Sequence, residues 1–463
     1  MLTISPRLRL ALHEFYALAI PVMLQLLFMS ARNITDIVLT ANLGEVAVAT
    51  VGLASKAVMV GMVALAGLAS GCSVLGAQYA GQGDLHGLRR SIGLGLLLSV
   101  VFILVPVAIG FGFFAEAIIR LASTDPAVIA NATGYLRIFA GAFAFMAVST
   151  VLGIGLRVCG HAGTATKLSL IGVVANVVLC VLLINGAGPL PALGIMGAAW
   201  ATLISTALEA ALVLAWIALR KPGLLPRWRD LAALPPGFAR HYLGIAVPAT
   251  VNGLVWSLGI FTYGAIYGRI GTRELAIMAS LTPLEAVSIA VEQGLATATS
   301  ILLGHRLGQG RFAQARRLGW LYLRISIGTS VLLGMALLLA MPLLLQVFRL
   351  EGAAHTVAMQ VYVVMVITFW IKTINAVGIS GVLRSGGDVG AGLKIDVIGQ
   401  WCVGIPLALL GAFYFALPLP AVFVLVMLED VVKAVLTTRR IHRSLWIRSV
   451  IPSLGRVQLG TPG

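Results

Sequence analysis

The stretch "LLFMSARNITDIVLTANLG", Leu26–Gly44, sets an arginine and an aspartate inside an apolar run that begins near Ala17. Arg32 and Asp36 are four residues apart, so on a helix they share one face. An ionisable side chain at the centre of a membrane helix costs about 2.5–3.5 kcal/mol on insertion scales. Either this run does not cross a membrane, or it crosses one and keeps two charges for a reason.

Composition favours the second alternative. The 463 residues are 59% hydrophobic and only 10% charged, with a mean hydropathy of +1.01. Soluble domains carry about 25% charged residues. Runs of about 20 apolar residues, long enough to cross the hydrocarbon core, recur along the chain. The expected fold is an all-α polytopic membrane protein with about twelve transmembrane helices, the first near 14–40 and the last near 418–438. The N-terminal run is too long for a cleaved signal and reads as the first span.

A net charge of +16 invites a nucleic-acid partner, but its placement argues against one. Cations fall in every second connection, as at Arg89-Arg90, Arg220-Lys221 and Arg316-Arg317, and crowd the tail at Arg439, Arg440, Arg443 and Arg448. That alternation is the positive-inside bias. It predicts an inner-membrane protein with both termini in the cytoplasm and an even number of spans. The four cysteines, among them Cys180, lack metal-ligand spacing and read as small buried hydrophobes.

The chain is also duplicated. Pro21 matches Pro248, and the same 227-residue offset carries Gly67–Ala69 onto Gly294–Ala296 and "GQG" at 81–83 onto "GQG" at 308–310. Further on it carries Tyr135 onto Tyr362, Arg157 onto Arg384 and Lys167 onto Lys394. Six spans per repeat give both halves the same orientation, related by a pseudo-two-fold axis along the membrane normal. The predicted organisation is an N-terminal six-helix lobe (1–219), a cytoplasmic linker (220–241), a C-terminal six-helix lobe (242–438) and a basic cytoplasmic tail (439–463). The linker, "RKPGLLPRWRDLAALPPGFAR", is rich in proline and cations.

The chain resembles the multidrug and toxic compound extrusion (MATE) family. The likeness rests on "TDIVLTANLGEVAVATVGLA" (Thr35–Ala54), "LLGHRLGQGRFAQARR" (Leu302–Arg317), "LRVCGHAGTATKLSLIGVVANVVLCVLL" (Leu156–Leu183) and "GIMGAAWATLIS" (Gly194–Ser205), in that family's order and duplication. It implies an antiporter that exports lipophilic, often cationic small molecules in exchange for H+ or Na+, with no other cofactor. It also implies an ion-coupling pocket in the N-terminal lobe, with Asp36 as the acid and Asn176 and Thr202 as hydrogen-bonding partners. Cys180 stands where relatives often have Asp or Asn, so one potential ligand is missing. The acids that some relatives carry on the seventh and tenth helices are absent, which favours protons over sodium.

The residues themselves allow two readings of the charged pair. Arg32 and Asp36 can form an ion pair that lowers the cost of insertion. Alternatively Asp36 titrates, with its proton affinity set by burial and by how closely Arg32 approaches. Pro21 removes a backbone hydrogen bond from the same helix and marks a hinge. On the eighth helix Glu285 and Glu292 lie two turns apart on one face, with Pro283 as a second hinge. Both are candidates for a substrate or secondary ion site, and Lys372 on the tenth helix is their candidate counter-charge. Asp396 reads as interfacial, and Glu429, Asp430 and Lys433 as a solvated cluster at the end of the last span.

Two other functions compete with efflux. A lipid-linked oligosaccharide flippase of the same superfamily would use Arg32, Lys56, Arg137 and Lys372 to bind a pyrophosphate head group. A membrane-embedded transferase needs clustered acids or metal ligands, and here the acids are scattered over many helices. The expected protein is not an enzyme. It works as a monomer in the bilayer on small-molecule substrates, without nucleic acid.

Overall fold

The computed structural model describes residues 6–186, 192–347 and 352–451. The end of the predicted tail, 452–463, lies outside the described residues. All regular structure among the described residues is helical. In chain order the long helices are α1 (Pro6–Ala41), α2 (Glu45–Gln82), α3 (Leu85–Phe113), α4 (Pro126–Val158), α5 (Ala162–Asn185) and α6 (Ile195–Arg220). The second series is α7 (Phe238–Ile270), α8 (Thr282–Gly308), α9 (Phe312–Val347), α10 (Ala354–Leu383), α11 (Val389–Tyr414) and α12 (Leu419–His442).

Eleven of these helices are long and apolar enough to cross a membrane. The exception is α12, whose 24 residues suffice in length. It carries Glu429, Asp430 and Lys433 at its middle, and these charges keep it out of the apolar set. The same three residues correct an expectation. They are not a solvated terminal cluster, because Glu429 and Lys433 are 7% and 4% exposed.

Two compact units divide the chain. One runs from Leu24 to Thr250; the other combines the segment up to Met23 with everything from Val251 onward. Both crossings fall two residues after a proline inside a helix, Pro21 in α1 and Pro248 in α7. They obey the same 227-residue offset as the sequence repeat. The segment 220–241 belongs to the first unit, where the short helix Trp228–Ala232 places Asp230 against Arg89, N···O 3.0 Å.

The repeat is visible in the turns as well. Gly83 closes α2 at φ 79°, and its counterpart Gly310 closes α8 at φ 70°. Gly160 after α4 and Gly387 after α10 form the second such pair, at φ 81° and 73°. A left-handed residue after a helix costs glycine nothing in sterics, so both ends stop where the sequence repeats. Downstream of the last turn, the tail is tied down by ion pairs. Arg440 grips Asp388 with two bonds of 2.8 and 3.1 Å, and Arg448 reaches the same carboxylate and the Gly386 carbonyl.

Candidate functional site

In the first unit a polar seam runs along three helices. On α1 it comprises Gln25, Arg32 and Asp36, spaced by seven and four residues; on α5 it comprises Ser169, Asn176 and Cys180, spaced identically. Spacings of seven and eleven bring side chains back to one face of a helix. On α6, Thr202, Ser205 and Glu209 continue the seam. A rung closes each end of the α1–α5 pair. The Cys180 thiol donates to Asp36 Oδ1 at 3.2 Å, and Gln25 Nε2 donates to Ser169 Oγ at 3.1 Å.

Between the rungs, Asn176 Nδ2 donates to Ser205 Oγ at 3.1 Å and to Thr202 Oγ1 at 3.4 Å. Asn176 and Cys180 are both fully buried. The site therefore differs in detail from the expectation. Among the described residues Asn176 and Thr202 do not donate to the carboxylate; they support Cys180, whose sulfur lies 3.9 Å from Asn176 Oδ1. Cys180, read from sequence as a missing ligand, is the direct partner of Asp36. Tyr135 faces the same group and feels the charges of Asp36 and Arg32.

Arg32 does not form the ion pair that its spacing allows. Among the described residues no salt bridge joins it to Asp36, and its Nε is buried without a hydrogen-bond partner. Its charge reaches two carboxylates through space, Asp36 and Glu209. Glu209 is the residue that sequence reasoning missed. It packs against Gly172 of α5 and feels the charge of Arg157, which in turn donates to Gln25 at 3.3 Å. The available signal was plain: Glu209 is the sole acid in the 26 residues of α6.

The second unit holds a larger set of charges, in two groups. One group is joined by direct ion pairs. Lys433 bonds Glu429, lies 3.4 Å from Asp396, and Tyr263 donates to Glu429 from α7. Asn252 Nδ2 donates to Asp396 at 2.9 Å, so Asp396 is part of this buried network and not interfacial. The other group is open. Glu292 is 8% exposed, and its Oε1 has no hydrogen-bond partner. Asn375 donates twice to Asp430, at 3.0 and 3.1 Å, yet its own Oδ1 is buried and unpartnered. Lys372 makes no ion pair among the described residues; Asp430, Glu285, Glu292 and Glu429 all act on it through space.

Pro283 sits in the first turn of α8, two residues before Glu285 and just after a break at Leu281 that ends the short helix Thr272–Ser280. Beyond Asn375, α10 opens into a π-helical stretch, Ala376–Leu383. Such wide turns are found where side chains are re-aimed at functional sites. Arg137 is not gathered with the other cations; it donates to the Gly112 carbonyl at 3.2 Å.

The sequence model of the MatE family matches residues 21–182 and 248–410. Both matched segments open on the prolines of the repeat, and together they cover more than half the chain. The chain belongs to the MatE family. A probable multidrug resistance protein NorM from Bradyrhizobium diazoefficiens is 30% identical over 416 residues, 87% of each chain. A probable multidrug resistance protein YoeA from Bacillus subtilis is 26% identical over 372 residues, 77% of each chain.

The fold agrees with these likenesses. An outward-facing multidrug resistance MATE transporter of the MOP superfamily superposes with a TM-score of 0.84 at 20% identity, covering 93% of this chain and 95% of that one. A MOP superfamily transporter from Pyrococcus furiosus, described by the reversed polarity of its binding pocket, gives 0.84 at 20% identity over 94% and 96%. This MatE protein is a multi-pass membrane transporter and not an enzyme.

Proposed function

We propose that this MatE transporter is a multidrug exporter of the inner membrane, with both termini cytoplasmic. It exchanges protons for lipophilic cations by alternating access. Asp36 carries the coupling proton. The observation that supports this role is the partner it has: a neutral thiol at 3.2 Å in place of the arginine one turn away. A carboxylate held by a neutral donor gains and loses a proton without breaking an ion pair, so its occupancy follows the side from which water reaches it.

Protons suit the site better than sodium. A hard cation takes several oxygen ligands, whereas Cys180 supplies sulfur to Asp36. In the second unit, Glu292 offers a buried oxygen, without a partner among the described residues, to a substrate's positive charge, and it shares with Glu285 the counter-charge of Lys372. Pro21 and Pro248, next to the points where the chain changes unit, are the places where bending is cheapest.

Efflux of a fluorescent lipophilic cation from proteoliposomes, under imposed proton or sodium gradients, tests the proposal. Wild type should export under a proton gradient alone, and Asp36→Asn should not. Full proton-driven export by Asp36→Asn, or export driven only by sodium, would overturn it.

A further inference from the structure

At the end of the polar seam opposite Asp36, the first unit holds a second carboxylate in a built socket. Glu209 lies on α6 seven residues beyond Thr202, so the two occupy one face, two turns apart. Gly172, on α5, makes the room. A Cβ there would stand 3.1 Å from Glu209 Oε2 and 3.0 Å from Glu209 Cβ. One turn earlier on α5, Gln25 joins Ser169 to Arg157 through hydrogen bonds of 3.1 and 3.3 Å. Four helices thus converge on one acid.

The charged groups facing Glu209 are Arg157 from α4 and Arg32 from α1; α5 contributes the neutral Ser169. Those facing Asp36 are Arg32 on its own helix, the Cys180 thiol from α5 and the Tyr135 phenol from α4. Arg32 is the one group common to both acids. Among the described residues it is committed to neither, since its Nε is unpartnered and no salt bridge holds it.

We propose that Glu209 is a second proton-binding carboxylate of the transporter, and that its occupancy alternates with that of Asp36 through Arg32. This rests on the assignment of Asp36 as the coupling acid. With both acids ionised, the two carboxylates balance Arg32 and Arg157. A proton on either acid leaves one uncompensated positive charge in a low-dielectric interior, and a proton on both leaves two. The second protonation is therefore disfavoured, which is the condition for anticooperative titration of a coupled pair. A proton arriving at Asp36 displaces one from Glu209. The displaced proton leaves to water on the cytoplasmic side, the side on which the distribution of cations places the Arg157 end of α4.

Proton uptake by the purified full-length protein in nanodiscs, followed with an indicator dye after a pH jump, reads this directly. Asp36→Asn should still bind one proton that the Asp36→Asn/Glu209→Gln pair does not bind. Glu209→Gln should steepen and narrow the remaining uptake curve, and should slow proton-driven efflux about tenfold at unchanged substrate affinity. Glu209→Asp should recover most of the rate, and melting temperatures should show each variant folded. Equal proton uptake by Asp36→Asn and the double variant would overturn the inference. That result leaves the role of Asp36 standing; full proton-driven export by Asp36→Asn removes the role of Asp36 without altering what Glu209 binds.

Discussion

The two lobes build the same junction with opposite charge. In the first, Gly172 makes room for Glu209; in the second its counterpart Gly399, 227 residues on, makes room for Lys433. Gln25 bridges to Ser169 in one, and Asn252 bridges to Asp396 at the equivalent positions in the other. Asp36 has become Tyr263, and the carboxylate it meets, Glu429, comes from α12 at the position equivalent to Thr202. Duplication preserved the scaffold, while the acids and bases moved among helices.

What differs is satisfaction. In the second lobe Lys433 is held by two carboxylates, Glu429 and Asp396, and Tyr263 and Asn252 donate to those acids in turn. In the first lobe, among the described residues, Arg32 is buried at Nε and makes no salt bridge, and Asp36 accepts from a thiol. A satisfied buried network rigidifies, and an unsatisfied one is poised to change. On the function proposed above, the first lobe is the coupling lobe and the ion network around Lys433 is a strut.

The largest expected effect breaks this contrast at its functional end. Asp36→Asn should lower proton-driven efflux by at least about a hundredfold, within the range lost when an essential proton carrier is removed, with the melting temperature unchanged or raised. Lys433→Met should do the reverse. Removing one partner of a buried ion network costs about 3–5 kcal/mol, so the melting temperature should fall sharply, and Lys433→Met/Glu429→Gln should restore part of it. Melting curves in detergent distinguish the two behaviours.

Smaller effects sharpen the contrast. Glu292→Gln should weaken cationic substrates several-fold in binding while leaving thermal stability intact, because Oε1 has no partner to lose; a loss of stability with unchanged binding would make Glu292 structural. Cys180→Ser keeps a donor beside Asp36 and should shift the pH profile of efflux only slightly, whereas Cys180→Ala should shift it more.

The weakest test lies outside the membrane. Burial opposes the charge on Asp230, but the Arg227 N–H and the Arg89 guanidinium outweigh it and hold the carboxyl below its ordinary range. The stability contributed by Arg89–Asp230 is thus complete above the unfolded-state pKa and is lost as pH falls through the lower folded one. Arg89→Ala should cost about 1.5–3 kcal/mol at neutral pH and progressively less under acid conditions.

Much of this was legible in the sequence, for reasons that can be named. Helix number and duplication follow from apolar length and from the gapless 227-residue offset, both local properties. The prolines at 21 and 248 stand two residues before the points where the chain changes unit. Spacing alone put Arg32 and Asp36 on one face, but it could not say that Arg32 would stay unpaired. That depends on Cys180, 144 residues away, and on Glu209, on a third helix. The charges of α12 were misjudged because hydropathy falls in the same way for a solvated helix end and for a buried network. Only the approach of Tyr263 and Asp396 separates the two.

Proton counter-flow in proteoliposomes tests the division of labour between the lobes most directly. Adding a lipophilic cation to one side should drive a measurable pH change in wild type and in Lys433→Met/Glu429→Gln, assayed below its melting transition. It should drive none in Asp36→Asn. Counter-flow that survives in Asp36→Asn and disappears in the α12 double variant would contradict the account.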